Sequence, residues 1–569
     1  MRRFLPLFLI VVIVMGALPA ATGQQEVIPL SSSLYSEMDL LFLITGSGTP
    51  SGSRPWTKAE ASQMFSRIDR DGLKETGRDL YDSIAGKLET GLRWNLSDGF
   101  SLSAYLDLSL ELYGHSNTDF SSQGAWEYSF VDRRPLARAR LDMALSDYFY
   151  TYADLQYGYG PYTYDDTLPR LQESGHTLVG ALIPDTSGAN NLRYFDCETP
   201  LVQYTKQWAT NVLPASKHFD FQWPKRAVFS MGTDKLNFSL SRDKISWGNS
   251  KIGNFVVDDH VDYHEYARFT TFSRYFKYEA LMIFFDTHYA AYDHFQVLLA
   301  HRLEFRPWDV LTVAVSENVM YKDKVFQLQY LNPAFILHNL NNHSTLNAIA
   351  HAEIDWVPAP SLRLYGQFAL DQATAPNEGD NEEVAAWALL AGLEWGKELN
   401  KGILTTLLEG SMATPHMYRR EAVDFLMAQR YAGLPDGHWD TQKFDFIGSP
   451  YGGDALVFLS ETRYILPDSL TLALTMKSSF HGEVTMYTPM DDKNSPYGSK
   501  LFSKDKIAMR FSASLSGSYV IEHTPRFLHS IELFSSLSLL MRGQYSQSAR
   551  AFVYTGWDGQ LVLGATITV

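Results

Sequence analysis

Cysteine is almost absent. Cys197 stands alone among 569 residues, so no internal disulfide can staple the fold, and it reads as an incidental loop residue rather than a nucleophile. Positive charge is in deficit: 48 Lys and Arg face 64 Asp and Glu, a net charge of −16. A chain of that sign is a poor partner for nucleic acid. Beyond the N-terminal segment no apolar run reaches the ~20 residues a membrane-spanning helix needs. The Gly-x-Ser-x-Gly elbow, the His-Glu-x-x-His zinc helix and the phosphate loop are all missing. A glycosidase carboxylate pair is defined by separation in space, which sequence does not give. His260 and His264 flank Asp262, and His338 and His343 bracket Asn341 and Asn342. Neither group is the closed ligand set of a metal site. No enzyme, cofactor or metal is expected.

What the chain has in quantity is aromatic residues and alternation. Its 34 Phe, 32 Tyr and 12 Trp would suit the interfacial girdles of a membrane barrel. Strand side chains point to opposite faces with a period of two. Leu561, Leu563, Ala565, Ile567 and Val569 alternate with Val562, Gly564, Thr566 and Thr568. Leu102, Ala104, Leu106, Leu108 and Leu110 oppose Ser101, Ser103, Tyr105, Asp107 and Ser109. The same pattern carries Leu362 to Asp371, Leu470 to Lys477 and Ile507 to Ser516. Such runs reach ~10 residues, enough for a tilted strand to cross a bilayer; globular strands average ~5–6. A soluble β-sandwich also alternates, but strand length and mid-strand charges such as Asp107, Arg363 and Arg510 favour a wet interior. In lipid, sheet can span only as a closed barrel. About sixteen to nineteen strands can be counted, and closure favours an even number.

The N-terminus reads differently. Arg2 and Arg3, the apolar run Phe4 to Leu18, then Ala20, Ala21 and Gly23 form a secretory signal over residues 1–23, cleaved after Gly23. No Cys follows it, so a lipid anchor is not expected. Residues 24–85 read as a small helical bundle. Leu34, Met38, Leu41 and Phe42 share one helical face. A Gly/Ser/Pro loop runs from Gly46 to Pro55, and Thr57 with Glu60 three residues on gives a capping box. A third helix is expected from Arg78 to Ala85. So small a bundle is marginal alone and should lean on the barrel, residues 86–569. Short turns such as Ser97–Gly99 and Pro467–Ser469 alternate with long loops near 161–224 and 414–453. The long loops read as extracellular, and 161–224 is also a candidate plug.

Several blocks carry a family resemblance. Ile28-Pro29-Leu30, Tyr35, Asp39 and RPWTKAEA (54–61) open the set. SRDKISWGNSKIGNF (241–255), HRLEF (301–305), Glu317, QYLNPAF (329–335) and Asn347 follow. In order and spacing the chain resembles the capsule-assembly Wzi family of outer-membrane proteins along the whole mature length. The resemblance implies an all-β transmembrane barrel of eighteen antiparallel strands in the outer membrane of a diderm bacterium, with a periplasmic helical bundle. It also implies a non-enzymatic, lectin-like role in holding capsular or other surface polysaccharide.

Sugars are bound by amides, carboxylates, Arg forks and aromatic rings. Trp208, Phe219, Phe221 and Trp223 on one loop, with Tyr418, Tyr431 and Trp439 on another, are candidate sugar contacts; the alternative is girdle or loop packing. Arg242 could reach an anionic sugar or join a luminal ladder with Glu304 or Glu317, and the ladder is preferred because charge in a lumen needs partners. Asp243 and Arg302 belong to the same expected network. Gly248 and Gly253 mark a bend, and Pro333 a turn. Expected partners are surface polysaccharide, outer-membrane lipid, the barrel-assembly machinery and, through the bundle, a periplasmic component. The competing function is a porin-like channel for small solutes.

Overall fold

The computed structural model describes residues 23–92, 94–97, 99–128, 132–157, 193–195, 206–212, 224–285, 295–323, 332, 336, 346–372, 384–419, 423–433, 439–486, 488, 496–521 and 528–569. Residues 1–22 of the signal segment, Cys197, Phe219, Phe221, Trp223, His338, His343 and Pro333 lie outside them.

Three helices come first: α1 (Ser33–Thr45), α2 (Lys58–Phe65) and α3 (Glu75–Glu89). Each follows from local chemistry. Ser32 caps α1, its side chain accepting from the Leu34 amide, and Gly46 ends it at φ 75. The Gly46 and Ser47 amides return to the Leu43 and Phe42 carbonyls, a Schellman closure that glycine suits. Thr57 caps α2, its hydroxyl accepting from the Glu60 amide at 3.2 Å. The Glu60 carboxylate goes elsewhere, so only half of the capping box forms. α3 extends beyond the expected Arg78–Ala85 at both ends. Met38, Leu41, Phe42, Trp56, Ala61, Leu80 and Ile84 pack into one fully buried cluster that includes Ile403 of the barrel wall. At ~1.5–3 kcal/mol for each large apolar side chain removed from water, this contact ties the bundle to the barrel.

Eighteen strands close the barrel. The ring opens with β1 (Phe100–His115), β2 (Ala137–Leu145), β3 (Phe149–Tyr157), β4 (Arg226–Gly232), β5 (Leu236–Asp243) and β6 (His264–Phe272). It continues through β7 (Phe276–Phe284), β8 (Phe295–Trp308), β9 (Leu311–Asp323), β10 (Leu346–Ala359), β11 (Leu362–Gln372) and β12 (Ala386–Glu398). β13 (Ile403–Ala413), β14 (Ala455–Leu466), β15 (Leu470–His481), β16 (Lys506–Ile521), β17 (Ser530–Ser546) and β18 (Ala551–Thr568) complete it. Every neighbour is antiparallel, and β18 returns to β1 with Gln560 opposite His115 and Thr568 opposite Asp107. The segment Trp94–Ser97 pairs with β1 beyond the end of β18, and Trp208–Thr210 pairs with it beyond β2.

Alternation assigns the faces as the sequence reading expects. Leu106, Leu108, Leu110, Phe368, Leu472, Leu474, Met476, Phe511, Leu515 and Leu563 are exposed on the outer wall, whereas Ser101, Ser103, Ser109, Arg363, Gln367 and Thr566 are buried on the inner one. Outward aromatics stand at two levels. Phe276, Phe305, Trp308, Trp356, Trp395 and Tyr519 ring the short-turn end, with Phe284, Tyr157, Trp208 and Trp557 toward the long loops. An apolar band between aromatic girdles is what a barrel in lipid requires. The helices close the short-turn mouth: Ser361 donates to Leu43, Gly48 to Asp309, and Lys87 Nζ to Asp468 at 2.8 Å.

Candidate functional site

The lumen is entered from both ends. From the helical end, residues 46–57 rise inside the wall. From the long-loop end, residues 244–263 fold inward. The two meet as a two-stranded sheet, Ser53 opposite Trp247 and Arg54 opposite Ser246. The candidate plug 161–224 lies largely outside the described residues; the described inward loop is 244–263.

Basic wall residues clasp the first segment by its backbone. Lys277 Nζ donates to the Ser53 carbonyl at 3.0 Å and pairs with Glu60 at 2.6 Å. Arg268 donates to the Pro55 carbonyl at 2.5 Å and pairs with Glu279. Arg302 sits between Glu304 at 2.8 Å and a two-pronged contact with Glu353 at 3.1 and 3.0 Å. Glu304 in turn accepts from Ser51 Oγ at 2.9 Å and from Arg306 at 3.0 Å. The motif residues at the front explain themselves here. Arg54 pairs with Asp39 at 2.7 Å and lies over the rings of Tyr35 and Trp56, while Tyr35 Oη donates to the Ile28 carbonyl at 2.7 Å.

Carboxylates and amides hold the second segment. Glu409 accepts from Ser250 Oγ at 2.5 Å, from the Lys251 and Ile252 amides at 3.0 and 2.9 Å, and from Tyr365 Oη at 2.5 Å. Gln367 donates to Asn254 Oδ1 at 2.7 Å. Gly248 makes the bend at φ 119, where a Cβ would stand 2.1 Å from Asn254 Oδ1. Gly253 turns at φ 144 against Pro450. The apolar residues Ile252, Phe255, Val256, Val257 and Val261 then join Met417, Phe425, Leu426, Phe446 and Ile447 of the long loop after β13 in one buried cluster. That loop roofs the inward segment. A cavity of about 20 Å3, room for a single water, lies at the seam among Thr49, Arg302, Glu304, Glu353 and Asp355.

Asp262, on the inward loop, meets Lys225 at 2.9 Å and Arg226 at 3.6 Å. Burial raises its carboxyl, but those two cations outweigh burial and hold it down to about 2.

The expected network is partly assembled. Asp243, Arg302 and Glu304 are buried in the lumen, with Tyr152 donating to Asp243 and Arg226 beside it at 3.6 Å. Arg242 and Glu317 are corrections. On β5, Leu236, Phe238 and Leu240 are exposed outward, and Arg242 shares their parity; it pairs with Glu265 and lies over the Tyr263 ring. Glu317 follows the outward Val315 on β9 and stands opposite His301. Alternation overrides the preference of charge for the lumen at both positions.

The aromatic candidates also separate. Tyr418 is a correction: it is fully buried, its hydroxyl donating to the Phe255 carbonyl at 2.8 Å and accepting from the Ser449 amide at 3.2 Å. A ring locked under the roof offers no face to a sugar. Trp208 is exposed on the outer wall across Gly114, where a Cβ would come within 2.3 Å of the indole; this is the girdle arrangement. Tyr431 and Trp439 fall in a small sheet of Arg193–Phe195, Leu426–Gly433 and Trp439–Phe446, opposite Thr441 and Gly433 respectively. Their side chains and Trp223 lie outside the described residues. Among the described residues no group of three His, Cys, Asp or Glu side chains is arranged to hold a metal.

An eighteen-stranded ring, an apolar outer band, two girdles and a polar, occupied interior define an outer-membrane β-barrel. Among solved structures the same fold occurs in Wzi, described as an outer-membrane protein involved in group 1 capsule assembly in Escherichia coli and as a carbohydrate-binding β-barrel. The TM-score is 0.54 and the identity 11%, over 95% of this chain and 99% of that one. Pseudomonas aeruginosa OprD is also similar, with a TM-score of 0.38 and 8% identity over 83% of this chain and 97% of that one. No family model matches the sequence, and no curated protein matches it.

Proposed function

We propose that this chain is a divergent relative of the Wzi capsule-assembly proteins that binds or organises surface polysaccharide without chemical turnover. One observation carries the reading: segment 46–57 and loop 244–263 pair with each other inside the wall, which suits a barrel used as a platform better than one used as an open pore. Short turns are periplasmic in bacterial barrels, which supports helices facing the periplasm; the layout is then a signal peptide over residues 1–23, a bundle from residue 24 to the end of α3 at Glu89, and the barrel beyond it. The barrel-assembly machinery would insert the chain, and the bundle would be free to meet a periplasmic component. Polysaccharide would engage the outer surface of the long loops, with Tyr431, Trp439 and Trp223 as candidate contacts.

The channel reading has one observation in its favour. Thr471, Thr475, Ser514, Ser516 and Ser518 of the inner wall on β15 and β16 are only partly buried. Two measurements separate the readings. Deletion of the gene should release polysaccharide from the cell surface while leaving small-solute uptake intact, and the purified barrel in planar bilayers should show no large stable conductance. Unchanged polysaccharide together with a large open conductance would replace the platform by the channel.

A further inference from the structure

Three neighbouring strands overshoot the bilayer. β16, β17 and β18 run for 16, 17 and 18 residues, against the ~10 that cross an apolar core. The surplus stands mainly at the long-loop end. Trp557 lies eleven residues up β18 from Thr568, a climb of ~28 Å at ~3.3 Å rise and ~40° tilt. It therefore marks the top of an apolar band ~25 Å tall. Above it the hairpin of β17 and β18 goes on. With Thr555 taken up by a bulge at the register shift, Tyr554 stands ~5 Å and Phe552 ~10 Å higher.

This projecting blade is bare on both faces and along one edge. Ala551, Phe552, Val553, Tyr554 and Thr555 are all exposed, so neither face is packed. β1 ends its pairing with β18 at Gln560, and Ser116 and Asn117 take the Gly559 and Trp557 carbonyls. Among the described residues, 551–556 have a strand neighbour on the β17 side alone. An open edge that carries large apolar side chains is a liability that proteins blunt unless it meets something.

The rings share one facing. Met541 is exposed on the outer wall, and Gly543 and Tyr545 have its parity on β17. Opposite these three stand Trp557, Tyr554 and Phe552. The Phe552 ring lies over Gly543, where a Cβ would come within 2.2 Å of it. Tyr545, Phe552 and Tyr554 thus look away from the barrel axis, above the level of the acyl chains. Cations gather at the tip. Gln547 donates to the Phe502 carbonyl at 2.6 Å and the Ser548 amide to Asp505 at 2.6 Å, which ties loop 496–506 to turn 546–551. Among the described residues there, Lys500, Lys504, Lys506 and Arg550 stand against two acids, Asp505 and Glu483, and each acid accepts from a backbone amide. The tip is positive on a chain whose net charge is −16.

We propose that this blade docks the sugar head of an acidic glycolipid of the outer leaflet. The proposal rests on the long loops facing the exterior. Outward rings just above the acyl chains meet headgroup sugars, whose apolar faces lie against aromatics. The tip cations, a few Å higher, meet phosphates or carboxylates on those sugars, and the edge of 551–556 offers backbone N–H and C=O groups to their hydroxyls. Two other occupants fit worse. A peptide strand needs an unbroken ladder, which the bulge at Thr555 interrupts. A second copy inserted the same way up is related by a two-fold axis along the membrane normal, so edges tilted ~40° would cross at ~80°, too steep to pair.

The test uses the full-length protein. In a Cys197→Ser background, Ser548→Cys should be labelled on whole cells by a membrane-impermeant maleimide; a tip unreachable from outside overturns the orientation and the proposal together. The purified barrel, stripped of lipid in detergent, is then mixed with equal amounts of lipopolysaccharide and phosphatidylglycerol, and adducts are counted by native mass spectrometry. Wild type should keep lipopolysaccharide in preference. Lys506→Gln/Arg550→Gln and Phe552→Ala/Tyr554→Ala should each retain it about tenfold less, with heat-modifiable gel mobility showing that the barrel still folds. With the tip reachable, no preference for lipopolysaccharide, or either variant retaining it like wild type, overturns the docking site and leaves the orientation standing. Displacement by polygalacturonate, an acidic polysaccharide without lipid, or a two-copy species in place of the adduct, overturns it equally.

Discussion

Introducing arginine along β15 should give a graded response, because depth and facing are both fixed. Met476 is 52% exposed on the outer wall, six residues from Leu470 at the short turn, hence ~15 Å up the strand at ~3.3 Å rise and ~40° tilt. Leu472, on the same face, is only ~5 Å up by the same arithmetic. Arginine on a lipid face costs ~2–4 kcal/mol at the midplane and ~0–1 near the interfaces. Met476→Arg should therefore destabilise the barrel by about 3 kcal/mol and Leu472→Arg by about 1. Thr475 points inward, its hydroxyl 3.5 Å from the Glu461 carboxylate, so Thr475→Arg gains an acidic neighbour and should change stability little. Urea titration of folding into phospholipid vesicles, read by Trp fluorescence and gel mobility, measures all three. Equal losses at positions 475 and 476, or a larger loss at 472 than at 476, would refute the facing or the depth.

The remaining predictions concern the seal and its surroundings. Glu60→Gln or Lys277→Met should each cost ~3–5 kcal/mol by stranding a buried charge, and the double change should recover part of that loss; protease sensitivity of residues 46–57 reports it, and equal losses in single and double variants would refute the pairing. Asp262 is held at about 2 against an ordinary 3.8. The lower folded value means its contribution, about 2 kcal/mol, is full above pH 4 and fades as pH falls toward 2; hydrogen exchange in 245–262 should speed up across that window. Thr57→Ala should loosen α2 by ~1 kcal/mol, visible as faster amide exchange over 58–65 in the full chain. Trp439→Ala should lower polysaccharide retention while Trp208→Ala leaves it unchanged, measured as cell-associated polymer; the opposite order would move the sugar surface to the outer wall.

Much of the wall was legible because a membrane leaves a strand few options. Each apolar run on β1, β11, β15, β16 and β18 names its lipid face, and the structure agrees with it. The capping Thr57 and the helical face of α1 were legible for the same local reason. Arg242 and Glu317 were misjudged by letting charge decide. Continuing the alternation from Leu236, Phe238 and Leu240, or from Val313 and Val315, would have turned both outward. Tyr418 could not be read, since what buries it is Phe255, 163 residues away in sequence. The same holds for the Gly46–Pro55 loop: its Gly, Ser and Pro announce a break between helices, but its entry into the lumen depends on Lys277, Arg268 and Arg306, more than two hundred residues on.

The short ladder joining Ser53 and Arg54 to Trp247 and Ser246 links structures that belong to opposite sides of the bilayer. The connection runs down the axis and not through the wall, from Arg54 to Asn249 at 3.2 Å and on to the roof packed over Phe255. The wall thereby surrounds a continuous hydrogen-bonded column that joins the helices at one mouth to the roof at the other.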